Sequence, residues 1–256
     1  MFIPLHDANS LKYIKLQYVT LALIAANVVV YLMTSLGSAQ FSEAAVIGFS
    51  YIPSVAFDIA QLPPQYEFVP ESLTYVTYTF LHGDIFHLGG NMLFLWVFGD
   101  NVEDALGHVR YFFFYFICGA VGAFLHGIVA MESQMPLIGA SGAIAGIVTA
   151  YLVLHPRVKI WVLAFGRIPL RIPAYAVLAL WILFQISMFA LGGDDQISWA
   201  CHVGGILAGG VLVFLLRRSD VPLLDKAIVT PDAVVVEDNS AVAPGRAGPV
   251  PRWGRQ

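Results

Sequence analysis

The sequence predicts an all-α integral membrane protein whose six transmembrane helices form one bundle. Composition gives the first reason: 58% of the 256 residues are hydrophobic and 12% are charged, with a mean hydropathy of +0.75, against about 45–50% apolar residues in an average soluble domain. The second is length. Six apolar stretches, 18–36, 85–99, 111–131, 135–154, 174–191 and 199–216, approach the roughly 20 helical residues that a ~30 Å hydrocarbon core requires. The third is the sorting of charge across the loops that this division creates.

Residues 1–16 form an N-terminal segment carrying Lys12 and Lys15. The first apolar stretch is too long for the core of a cleavable leader and no small-residue cleavage site follows it, so it reads as a retained span. A long loop, about 38–80, comes next. The second stretch is short and polar-interrupted, and its helix is expected to continue through 101–106, since a short span is tolerated by bilayer thinning or by burial in the bundle. The six-helix domain occupies 17–217. Residues 218–256, rich in Pro, Ala and Gly without a helical period, read as a disordered tail.

All 13 basic residues fall on one side of this layout. Arg110 separates the second and third spans; Arg157, Lys159, Arg167 and Arg171 separate the fourth and fifth; the rest precede the first span or follow the sixth. The opposite loops carry Glu43, Asp58, Glu67, Glu71, Glu132, Asp194 and Asp195. The positive-inside rule then makes both termini cytoplasmic, with the 38–80 loop external. A compact six-span chain without an added domain suggests a bacterial plasma membrane.

A net charge of −4 provides no basic field for nucleic acid. Cys118 and Cys201 lie inside apolar stretches and read as packing residues rather than a disulfide or a thiolate site. No His and carboxylate set has ligand spacing on one face, so neither metal nor cofactor is expected. Polar residues thin out below the outer third of the spans and no internal repeat is visible, which argues against a channel or transporter.

Polar groups inside a span are costly and mark function by default. His87 and Asn91, four apart, share a face of the second span. Ser141 is near the outer end of the fourth span and His202 near the outer end of the sixth, so the topology brings four polar residues from three helices to one depth. Gly142 and Gly146 follow Ser141, and Gly205 and Gly209 follow His202, as GxxxG steps that allow close backbone approach. Such closeness is what proton transfer from a hydroxyl to an imidazole needs. Taken singly, each serine, histidine or GxxxG step is an ordinary packing device; their coincidence singles them out. His126, Asn27 and Gln185 stand apart from this cluster and read as interhelical hydrogen-bonding groups, and His82 and Asp84 as a brace or cap for the second span.

Gly139–Gly142 (GASG), His202–Gly205 (HVGG), His82–Asn91 (HGDIFHLGGN) and the run Phe98–Tyr115 resemble the rhomboid intramembrane serine proteases, over about residues 75–217 and in the family's order. The resemblance implies a rhomboid-like bundle, a Ser–His dyad without an acidic third member, and cleavage of transmembrane protein substrates near their membrane ends, with the lipid bilayer as medium and no nucleic acid partner. Ser141 then corresponds to the nucleophile and His202 to the general base. His87 and Asn91, with the Ser141 N–H, correspond to the oxyanion donors. Asp194 and Asp195 receive no role.

Two departures from the family pattern are visible. Thr77 and Tyr78 stand where some members have Trp-Arg, and Ala145 stands where many have an aromatic residue that supports the histidine ring. The alternative function is a proteolytically inactive relative that binds client transmembrane helices.

Overall fold

The computed structural model describes residues 2–192 and 197–224. The expected tail from 225 onward lies outside the described residues, as do Asp194 and Asp195. Each of the six apolar stretches forms a helix: α1 (Tyr18–Leu36), α5 (Ile85–Leu106), α6 (His108–Val129), α7 (Ser141–Leu154), α8 (Ala174–Leu191) and α9 (Trp199–Leu216). Among the described residues four of these, α1, α6, α8 and α9, are long and apolar enough to cross a membrane. Large apolar side chains point outward from them, including Met33, Phe113, Leu183 and Phe214, as lipid rather than water would permit.

The other two differ for identifiable reasons. Helix α5 does extend to Leu106 as expected, but its last two turns carry Asp100, Glu103 and Asp104. Helix α7 has 14 residues, about 21 Å of rise. It is buried continuously from Gly142 to Tyr151 and packs against α5, α6, α8 and α9. A helix enclosed by protein need not match the bilayer thickness.

The boundaries correct two expectations. Helix α6 lies about three residues earlier than 111–131. The helix expected from 135 begins only at Ser141, because the preceding segment is held extended: Tyr51 and Leu137 exchange backbone hydrogen bonds at 3.2 and 2.8 Å, and the Gly139 N–H donates to the Tyr78 carbonyl at 3.0 Å. Gly139 has φ +115°, a conformation that side chains with a Cβ rarely adopt. The candidate nucleophile is therefore the first residue of its helix.

The region 38–80, read as a loop, contains helices α2 (Ala39–Phe49), α3 (Pro53–Ala56) and α4 (Glu71–Thr77). On the opposite side, a three-stranded antiparallel sheet in the order β1-β2-β3 joins β1 (Phe2–Asp7), β2 (Lys159–Ala164) and β3 (Ile168–Pro173). From the sequence, no strand is expected in either segment. Yet β2 buries Ile160, Val162 and Ala164 and exposes Lys159 and Trp161 in alternation with them, the period of two that a half-buried strand shows. Its turn uses positive φ at Phe165 and Gly166.

The acidic C-terminal end of α5 ties this sheet and α1 to the bundle. Asp104 accepts backbone N–H bonds from Lys12, Tyr13 and Ile14 at 2.7–2.8 Å. Asp7, at the end of β1, accepts from the Tyr151 hydroxyl at 2.6 Å and the Asn101 amide at 3.1 Å. The run Phe98–Tyr115 that carried part of the family resemblance thus fastens the N-terminal segment.

Candidate active site

Three helix N-termini meet at the polar cluster: His87 is the third residue of α5, Ser141 the first of α7 and His202 the fourth of α9. The positive ends of three helix dipoles therefore point toward one place, which favours negative charge there. Two of the three are capped by side chains. Asp84 accepts from the Phe86 and His87 N–H groups at 2.7 and 2.9 Å, and Ser198 accepts from the Cys201 N–H at 3.2 Å. Helix α7, with Ala140 before it, has no side-chain cap, so the N–H of Ser141 is not spent on one.

His202 Nε2 lies 2.8 Å from Ser141 Oγ, inside the range that proton transfer requires. Both side chains are half-buried. This approach depends on the two glycine steps facing each other. A Cβ on Gly205 would meet the carbonyl carbon of Gly142 at 2.8 Å, and one on Gly209 the carbonyl carbon of Gly146 at 2.7 Å. The α7 and α9 backbones are therefore in direct contact for two turns beside the Ser141–His202 pair. Cys118 and Cys201 are buried and free; they fill the space beside Gly146 and Gly142, where an added Cβ would come within 2.5 and 2.6 Å of their sulfurs.

His87 and Asn91 line the approach to α7. A Cβ on Gly139 would stand 2.6 Å from His87 Nε2 and 3.7 Å from Asn91 Nδ2, so the glycine before Ala140 is what admits both. Asn91 is buried and its amide donates to His82 Nε2 at 3.0 Å. Burial and the adjacent His87 push the His82 pKa down to about 4, which keeps that ring neutral and able to accept. His82 and His87 also meet edge to face at 4.9 Å.

The residues set apart in the sequence reading divide. His126 Nδ1 meets the Ser198 hydroxyl at 2.8 Å, an interhelical bond that holds the start of α9 to α6. Asn27 donates to the Leu23 carbonyl one turn back, within α1, at 2.8 Å. Gln185 is not isolated: its Oε1 lies 2.8 Å from His202 Nδ1. Position 145 holds Ala, and the rings against His202 are those of Trp181, stacked at 6.4 Å and 29°, and Trp199, edge-on at 6.0 Å. Tyr78 is fully buried, and its hydroxyl donates to the Gly119 carbonyl at 2.8 Å and lies 3.4 Å from Cys201 Sγ. Trp181 and Gln185 share a face of α8 by their i, i+4 spacing, but no local pattern shows that this face meets His202.

Comparison with known proteins places this arrangement. Residues 70–219, more than half of the chain, match the family model for the rhomboid domain. Rhomboid protein 1, mitochondrial, of Saccharomyces cerevisiae is 29% identical over 57% of this chain and 42% of its own length. RHOMBOID-like protein 2 of Arabidopsis thaliana is 32% identical over 53% and 39%, and the presenilin-associated rhomboid-like protein, mitochondrial, of Homo sapiens is 31% identical over 51% and 34%. The alignments thus span less than half the length of each of these relatives. The matched segment contains every residue of the polar cluster, from His82 to Gly209, and on that match the chain belongs to the rhomboid family.

Proposed function

We propose that this protein is an intramembrane serine endopeptidase that cleaves transmembrane segments of other membrane proteins near the external face. The observation that carries the reading is the 2.8 Å approach of His202 Nε2 to Ser141 Oγ at the uncapped start of a buried helix. In the proposed cycle His202 takes the Ser141 proton as Oγ adds to the scissile carbonyl. The oxyanion is stabilised by the Ser141 N–H and by His87 and Asn91. His202 then protonates the departing amine, leaving an acyl-Ser141, and the same imidazole activates the water that releases it. An intact helix hides its carbonyls in its own hydrogen bonds, so substrates must unwind locally, and small or helix-destabilising residues near the end of their span favour this.

The same proposal sets α5 and α7 as the second and fourth of six spans, with both termini on the cytoplasmic side of a bacterial plasma membrane. The one-sided distribution of basic residues supports the orientation; two of the relatives named above are mitochondrial proteins.

The test is labelling of detergent-solubilised protein by a fluorophosphonate probe. Labelling of the wild type, lost in Ser141→Ala and His202→Ala while both stay folded, is the expected result. An unlabelled wild type, in conditions that label another membrane serine protease, would point instead to an inactive protein that binds client transmembrane helices.

A further inference from the structure

We propose that Gln185 of α8 is a positioning residue for His202, taking over the support that an aromatic side chain at position 145 gives in other members. The inference rests on the protease reading above. Position 145 cannot supply that support here: Ala145 is fully buried, and a Cβ on Gly205 would already touch its Cβ at 3.4 Å. An imidazole held by one hydrogen bond to Ser141 could rotate, or adopt the tautomer with the proton on Nε2, and either loses the base.

Gln185 removes both freedoms. It is 3% exposed, and its two amide atoms have separate partners: Nε2 donates to the Trp181 carbonyl at 3.3 Å, and Oε1 faces His202 Nδ1 at 2.8 Å. Turning the amide over would set its oxygen against the Trp181 carbonyl oxygen, so the local bonding fixes which atom faces the histidine. An acceptor at Nδ1 requires the proton to sit on Nδ1. Nε2 is then the lone-pair nitrogen, aimed at the Ser141 hydroxyl. When Nε2 gains the serine proton, the developing imidazolium already has the negative end of the amide dipole against its other N–H. Trp181, one turn from Gln185 on the same helix, stacks on the ring face, so the turn 181–185 of α8 positions both the plane and the proton of His202. Gln185 does not touch the reacting atoms; it acts through His202, in the structural place that a carboxylate holds in a Ser-His-Asp triad.

The test pairs two variants of similar size. Gln185→Met removes the acceptor and Gln185→Glu keeps one. Expected is a fall in kcat for a transmembrane substrate by roughly 10- to 100-fold in Gln185→Met, less than the loss when a charged orienting partner is neutralised, with KM unchanged and Gln185→Glu recovering much of the rate. A parallel measurement does not depend on activity: 15N shifts of His202 in the wild type should report the Nδ1–H tautomer, and in Gln185→Met a mixture. An Nε2–H tautomer in the wild type, or wild-type kcat in Gln185→Met, overturns the proposal. A wild type with no probe labelling but an Nδ1–H tautomer would overturn the protease reading while leaving the positioning contact standing, so the two failures are distinguishable.

Discussion

Glu103 holds Thr20 twice: its carboxylate accepts the Thr20 backbone N–H at 2.8 Å and the Thr20 hydroxyl at 2.7 Å. It also accepts the Val19 N–H at 2.9 Å and meets His108 Nδ1 at 2.5 Å. Residue Gln17, at the N-cap of α1, offers no side-chain bond of its own. A carboxylate from α5 therefore caps the first span, satisfying donors that a helix start leaves open and matching the positive end of its dipole.

Because Glu103 is fully buried, Glu103→Ala is expected to destabilise the protein by about 3–5 kcal/mol, the range for removing one partner from a buried charged network. Glu103→Gln, which retains an acceptor oxygen, should lose less. Denaturation in detergent micelles measures both. A Glu103→Ala protein within about 1 kcal/mol of wild type would show that α1 does not depend on this cap.

The glycine contacts predict a separable pair of effects. A methyl group at either Gly205 or Gly209 must push α7 and α9 apart, and overpacking of this kind costs typically about 1–3 kcal/mol. Gly205 opposes Gly142, the residue after Ser141, whereas Gly209 opposes Gly146 one turn further along. Gly205→Ala should therefore slow fluorophosphonate labelling much more than Gly209→Ala at comparable loss of thermal stability. Equal labelling rates in the two variants would mean that the dyad distance is not set by the 142/205 contact.

Much of this was legible in the sequence, and the exceptions share causes. The six helices followed from apolar length, and the meeting of Ser141, His202, His87 and Asn91 from their places near one end of three of those helices. The early start assigned to α7 failed because hydropathy cannot distinguish an apolar extended segment from a helix; residues 135–140 are apolar and glycine-containing but are paired to Tyr51 and Tyr78. The sheet was missed because two of its strands sit in loops whose charges had already been assigned a topological meaning. Gln185 was set aside as isolated because its partner is on another helix, and rotation of α8 about its axis is not encoded in any local pattern.

The oxyanion side predicts a graded series. Asn91→Ala removes a donor expected to act only on the developing charge, a loss of about 2.7–4 kcal/mol of transition-state stabilisation or roughly 10²–10³ in rate, with little effect on KM. His82 accepts from the Asn91 amide and so orients it; His82→Leu should reduce kcat by a smaller factor while Ser141 still reacts with the probe. If His82→Leu were slower than Asn91→Ala, His82 would have a role of its own beyond orienting the amide.

Asp7 predicts the pH dependence of the N-terminal attachment. Burial pushes its pKa up from the ordinary 3.8 to about 6, against the opposing hydrogen bond from Tyr151. The folded protein therefore prefers the protonated acid. Its stabilising contribution is fully present below about pH 4 and is lost as pH rises through about 6, an amount of about 2–3 kcal/mol by linkage. Asn in this place cannot ionise, yet its side-chain oxygen can still accept from the Tyr151 hydroxyl and the Asn101 amide. Asp7→Asn should thus match the wild type near pH 4 and exceed it in melting temperature near pH 8, the gap opening between the two. Comparing variant with wild type at each pH cancels the titration of the other carboxylates. A variant less stable than wild type at pH 8 would mean that the ionised Asp7 is itself what β1 requires, through a counter-charge rather than through the two neutral donors.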